Sequence, residues 1–126
     1  MKIPHNILVG ERAFEVMVEG KKIDGQTYLD TKSLMKAQRK LAYNLVLQAD
    51  EFNKDIFNFL MNISGYKASK IAELTKVTSA HISKYRRSET DEHPSPMFWQ
   101  LFRVVMLMIL SNGNAGDDIN KILRVA

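Results

Sequence analysis

The nineteen residues Lys67-Ala68-Ser69-Lys70-Ile71-Ala72-Glu73-Leu74-Thr75-Lys76-Val77-Thr78-Ser79-Ala80-His81-Ile82-Ser83-Lys84-Tyr85 carry two short helical patterns on either side of one tight turn. Lys67–Thr75 reads as the first helix, with Ile71 and Leu74 as its apolar positions, and Lys76-Val77-Thr78 as the break. The second helix runs to about Arg87 with Ile82 and Tyr85 inward. Ala72 must be small because the second helix crosses there; Val77 plugs the turn, and Ile82 anchors the second helix on the core. Thr78 is a good N-cap for that helix, because its hydroxyl can accept from a backbone N–H that has no partner in the first turn.

Charge is concentrated on the same stretch. Between residues 67 and 87 stand Lys67, Lys70, Lys76, Lys84, Arg86 and Arg87 against a single acid, Glu73, and then Glu89, Asp91 and Glu92 follow at once. Residues 1–66 are nearly balanced, so much of the formal +4 of the 126-residue chain is local. Such a segment suits a polyanion, although charge alone also describes an ordinary solvated helix face. The outward residues Ser79, Ala80, His81, Ser83 and Lys84 are of the small and polar kind that reads base edges in a major groove. Lys67, Ser69, Lys70, Thr78, Arg86 and Arg87 are the candidate phosphate contacts, which would set register rather than sequence preference.

Working back from the motif, the first thirty residues read as β. Asn6–Val9 is a short candidate strand, and Ala13–Glu19 alternates Phe14, Val16 and Val18 against Ala13, Glu15, Met17 and Glu19, the period of a half-buried strand. Gly20 and Asp24-Gly25 read as turns, after which Gln26–Leu29 pairs back as a hairpin or third strand. A helix opens at Asp30 or Thr31 and continues to about Gln48, with Leu34, Ala37, Leu41, Ala42, Leu45 and Val46 as its stripe. The sheet is too small to be stable alone and is expected to pack on this helix. Lys32, Lys36, Arg39 and Lys40 lie largely off the stripe. The expected division is a β-hairpin-plus-helix domain over residues 1–50 and a helical domain over 51–126, mainly α with a small N-terminal β element.

Forward of the boundary, Glu51–Ile63 is predicted as a helix opened by Asp50 and Glu51, with Phe52, Ile56, Phe59, Leu60 and Ile63 buried, and ended by Ser64-Gly65. His93-Pro94-Ser95-Pro96 is a stiff connector. Pro96–Leu110 is apolar nearly all round, more than one core face requires, and the surplus points to a partner copy. Phe98, Trp99, Phe102, Val105, Met106 and Ile109 are its candidate dimer contacts. A last helix over Asp117–Val125 carries Ile119, Ile122 and Leu123.

Several chemistries have no residues to support them. With no cysteine there is no disulfide framework, thiolate zinc site or Cys nucleophile. His5, His81 and His93 are widely spaced, and no glycine-rich phosphate loop, HExxH or nucleophile-elbow pattern occurs. The expectation is no enzyme, no metal and no cofactor. The N-terminus lacks the pattern of a secretory signal, and Met97–Leu110 falls short of the roughly 20 residues a bilayer needs, which predicts a cytoplasmic protein without membrane association.

The motif resembles the lambda-repressor-like (XRE or Cro type) helix-turn-helix family. Where that family has leucine-alanine, a glycine-valine-serine turn and isoleucine-serine, this chain has Ile71-Ala72, Lys76-Val77-Thr78 and Ile82-Ser83. The resemblance covers about residues 51–126 and implies a five-helix DNA-binding domain. It departs at the turn glycine (Lys76), the capping threonine (Lys67), the following glutamine (Ala68) and the glutamate after the second helix (Arg86). Losing that glutamine removes a common phosphate contact and leaves Lys67, Ser69 or Lys70 to replace it.

A narrower resemblance runs from Tyr85 through His93-Pro94-Ser95 to Leu101-Phe102-Arg103-Val104-Val105, which is similar to the MqsA (YgiT-type) antitoxins and their HigA-like relatives. Val18-Glu19-Gly20-Lys21-Lys22 and Tyr28-Leu29-Asp30 weakly resemble the N-terminal domain of that family, without its zinc-site cysteines. The resemblance implies a homodimeric repressor on near-palindromic double-stranded DNA, autoregulating its operon, with a toxin docked on residues 1–50. A phage- or plasmid-type repressor without a toxin, and a non-DNA interaction module, are the alternatives.

Overall fold

The computed structural model describes residues 1–87 and 94–124. The acidic run Glu89, Asp91 and Glu92, with His93, and the expected end of the last helix at Val125 lie outside the described residues. Among those described, the chain is mainly helical, with one three-stranded antiparallel sheet at its N-terminus. It divides into two units, Met1–Leu41 and Ala42–Ala126, so the boundary falls inside a helix rather than at residue 50.

In the first unit β1 (Lys2–Val9) and β2 (Arg12–Ile23) pair along their length, Ile3 opposite Val18 and Ile7 opposite Phe14. Both strands are longer than the alternation alone predicts. Ile7, Val9 and Val18 are buried on one face, and Pro4, Leu8 and Met17 are exposed on the other, as a period of two requires. Asp24 and Gly25, both at positive φ, make the tight turn to β3 (Gln26–Leu29). Gly20 is not a turn: it sits within β2 opposite Leu29. A Cβ there would lie 2.6 Å from both Ile3 Cδ1 and the Tyr28 carbonyl oxygen, so glycine is required by the close approach of the neighbouring strands.

Helix α1 (Thr31–Gln48) is capped by Asp30, whose carboxylate accepts from Ser33 N–H at 3.1 Å, and the Ser33 hydroxyl in turn accepts from Glu19 N–H at 2.9 Å. Its C-terminal part belongs to the second unit. There the last carbonyls of α1 have no partners in their own helix. Arg103 supplies them: Nε donates to Val46 O at 2.8 Å and Nη2 to Leu47 O at 3.0 Å, with Asp50 at 3.7 Å as counter-ion. Trp99 Nε1 adds a bond to Ala49 O at 2.8 Å. Arg103 is only 5% exposed, and burial lowers its pKa while Asp50 opposes that shift.

Helix α2 (Lys54–Ser64) begins later than Asp50 and Glu51 suggest, because Asn53 is the cap, its side chain accepting from Ile56 N–H. Its buried residues are Ile56, Phe57, Leu60 and Met61; Phe59 and Ile63 are only half-buried. Phe57 is the centre of an aromatic cluster, with Phe102, Phe52, Phe98, Trp99 and Tyr85 at ring separations of 4.7 to 6.5 Å. Gly65, at φ 70°, ends the helix. Helices α3 (Ala68–Thr75) and α4 (Ser79–Arg87) follow. On α3 the inward residues are Ile71, Ala72 and Thr75; Leu74 turns outward, and the Thr75 hydroxyl is satisfied by Ile71 O.

Helix α5 (Pro96–Leu110) is capped by Ser95. Four of the expected dimer contacts, Phe98, Trp99, Phe102 and Met106, are inside the unit, none more than 5% exposed. The aromatic cluster takes up the apolar surplus that the sequence assigns to a partner, and Val105 and Ile109 remain half-buried. The exposed apolar residues are instead Met97 and Met108, with the half-buried Leu101 and Val104 between them on one helical face. Helix α6 (Gly116–Arg124) buries Ile122, and Asp118 at its start accepts a hydrogen bond from the Tyr43 hydroxyl. Among the described residues no helix is long and apolar enough to cross a membrane.

Two outcomes test this packing. Replacing Arg103 with Met leaves two carbonyls unpaired and is expected to lower urea-unfolding stability by about 2 kcal/mol or more, whereas Asp50→Asn, at an exposed carboxylate, costs under about 0.5 kcal/mol. Burial, and then Asp118, push the Tyr43 phenol from 10 up to about 12. The folded chain thus favours the neutral phenol, and the contribution is whole below pH 10 and lost as pH rises through about 12. Ultraviolet titration of the folded protein should show one tyrosine ionising late, and Tyr43→Phe should remove that step.

Candidate nucleic-acid interface

The turn between α3 and α4 is closed by backbone alone. Lys76 adopts the left-handed conformation at φ 62° and ψ 35°, its N–H bonding to Ala72 O, which also accepts from Val77 N–H at 3.0 Å. This is the αL cap that usually calls for glycine. The small Ala72, 3% exposed, lies on the inward side of α3 with Ile71, and Ile82 is the buried residue of α4.

Thr78 opens α4 as the spacing predicts: its hydroxyl accepts from His81 N–H at 3.2 Å, and its carbonyl accepts from Ile82 N–H. Because that hydroxyl is engaged in the cap and with the His81 ring, Thr78 is a fastening of the helix first. His81 stacks on Tyr85 with ring planes 13° apart, and Tyr85 leans on Phe98 at 4.8 Å, at the edge of the aromatic cluster.

The far end of α4 is fastened by a contact that the spacing does not reveal. Arg86 Nε donates to Asn58 Oδ1 at 2.9 Å and Nη2 to Asn62 Oδ1 at 3.1 Å, while Asn58 Nδ2 donates to Arg86 O. The guanidinium expected at a phosphate is drawn back onto α2, where it positions α4. Asn58 and Asn62 stand one turn apart on α2, the signal that could have marked them as a pair with a common partner.

The remaining expected residues are outward. Ser79, Ala80, His81, Ser83, Lys84 and Arg87 are all exposed, and Ala80, Ser83, Lys84 and Arg87 form one row opposite Ile82. Lys67, Ser69 and Lys70 are exposed at the start of α3, with Lys70 in a solvent-facing ion pair with Glu73 at 3.8 Å. Lys67 occupies the cap position without a side-chain cap bond. Among the described residues no group of three or more His, Asp or Glu side chains is placed to hold a metal ion.

The chain matches no family model, no curated protein and no solved structure.

The left-handed lysine gives a direct test of the turn. Lys76→Gly removes the Cβ penalty at positive φ and should raise stability by about 0.5–1 kcal/mol, read as a higher thermal midpoint. Lys76→Val should lower it, since a β-branched residue is strained there.

Proposed function

We propose that the α3–turn–α4 unit is a DNA-reading helix-turn-helix within a five-helix, lambda-repressor-like arrangement of α2 to α6, and that the protein is a sequence-specific transcriptional repressor. The observation that carries this reading is α4 itself: a short helix with Ile82 fully buried, both ends fastened, and a row of small and basic side chains turned to solvent. Ser79, Ala80, His81, Ser83 and Lys84 face the bases. Lys67, Ser69, Lys70 and Arg87 face phosphates, the positive N-terminal end of α3 reinforcing Lys67 and Lys70.

The DNA is a near-palindromic duplex bound by a homodimer, with the two α4 helices about one turn, ~34 Å, apart. The dimer contact is the uncharged row Met97, Leu101, Val104 and Met108, which meets its own copy about a two-fold axis. Repression follows by occlusion of a promoter in the cytoplasm, without catalysis or cofactor. The N-terminal part, residues 1–50, fits a protein partner through the exposed Leu8 and Met17 of its sheet. By the antitoxin resemblance that partner is a toxin, and the promoter is that of the protein's own operon.

Gel shifts on the protein's own upstream DNA test the reading. Lys84→Glu with Arg87→Glu should weaken binding by about a hundredfold or more while leaving thermal unfolding unchanged, because both side chains are exposed. Three phosphate-facing cations per protomer, Lys67, Lys70 and Arg87, give a salt slope of about −5 for the dimer. Unchanged affinity in the double variant, or a slope near zero, overturns the assignment. In sedimentation, Leu101→Glu with Val104→Glu should convert a dimer to a monomer.

A further inference from the structure

We infer that His81 is a fixed hydrogen-bond donor that selects an acceptor-bearing base at one position of each half-site; this rests on the DNA-reading role of α4. Two contacts restrain its ring, and a third bond holds its backbone. Thr78 Oγ1 lies 3.1 Å from His81 Nδ1, and the same oxygen accepts from His81 N–H at 3.2 Å. The ring plane lies 13° from that of Tyr85, and Tyr85 is half-buried against Phe98.

Thr78 Oγ1 offers a proton as well as a second lone pair toward Nδ1, and we assign the hydroxyl as the donor of that bond. With the Thr78 oxygen accepting the backbone N–H, its single hydroxyl proton is directed at Nδ1, 3.1 Å away, in this assignment. A neutral imidazole that accepts at Nδ1 carries its proton at Nε2. The stack on Tyr85 limits ring rotation, so Nε2–H is held in place at the exposed surface of α4 before any partner arrives.

A lone, oriented N–H discriminates in the major groove. Guanine presents N7 and O6 there, adenine N7 and thymine O4, whereas cytosine presents its N4 amino donor. His81 therefore excludes cytosine at its position and favours guanine, which offers two adjacent acceptors. Ala80, one residue before, has no polar group to compete for the same base.

Two measurements on the full chain decide this. Imidazole nitrogen shifts by NMR should show the Nε2–H tautomer of His81 in the free protein, retained in Thr78→Ser and lost in Thr78→Val; an Nδ1–H tautomer overturns the inference whatever DNA does. Selection from a random duplex pool should then give a site in which one position per half-site excludes cytosine. His81→Ala should erase the preference at that position alone, with about a tenfold loss on the preferred site, thermal unfolding confirming that the variant is folded. A uniform loss across all sequences, or an unchanged preference, overturns the base contact while leaving the DNA-reading role of α4 standing. A wild-type chain that selects no sequence overturns both.

Discussion

The end of α1 presents carbonyls that its own helix does not satisfy, and a single buried guanidinium on α5 answers them. Arg103 reaches Val46 O and Leu47 O together, a fork of two donors that no lysine could present. The bond fixes the rotation of α5 about its axis, since Phe98, Trp99, Phe102 and Met106 share the inward side with Arg103. From that rotation follows the aromatic cluster around Phe57, and from the cluster the seat of Tyr85 on α4. A charged residue in the most apolar helix of the chain thus orients the apolar ones.

Helix α4 is short and would be marginal alone, because nucleation is costly and only a few turns repay it. Its stability comes from outside: Thr78 at one end, Arg86 on Asn58 and Asn62 at the other, and Ile82 in the core. Every one of these contacts lies on the inward or end positions, so the outward row is free of structural duty.

Much of the architecture was legible because it rests on local pattern. The turn at Lys76-Val77-Thr78, the cap at Thr78, the buried Ile71, Ala72 and Ile82 and the outward row of α4 all follow from spacing within one short segment. The same holds for the Asp24-Gly25 turn and the start of α1 at Asp30. What stayed hidden depends on contacts distant in sequence. Arg86 looks like any basic residue in a basic segment until Asn58 and Asn62 are brought beside it. Phe98, Trp99 and Phe102 of α5 read as dimer contacts only while the aromatic side chains of α2 are left out. Gly20 reads as a turn because the crowding that demands glycine comes from Ile3 and Tyr28 on the neighbouring strands.

The double fastening of α4 also bears on the thermodynamics of association. A recognition element that orders only on contact subtracts the entropy of ordering from its affinity and shows a large heat-capacity change from coupled folding. Here the backbone of α4 and the ring of His81 are already restrained at folding, by Asn58, Asn62, Thr78 and Tyr85. In the proposed DNA-reading role, association through α4 would therefore resemble the docking of rigid bodies: the unfavourable entropy on this helix would fall on the long side chains of Lys84 and Arg87, and differences between sites would be expressed in how fast the complex comes apart.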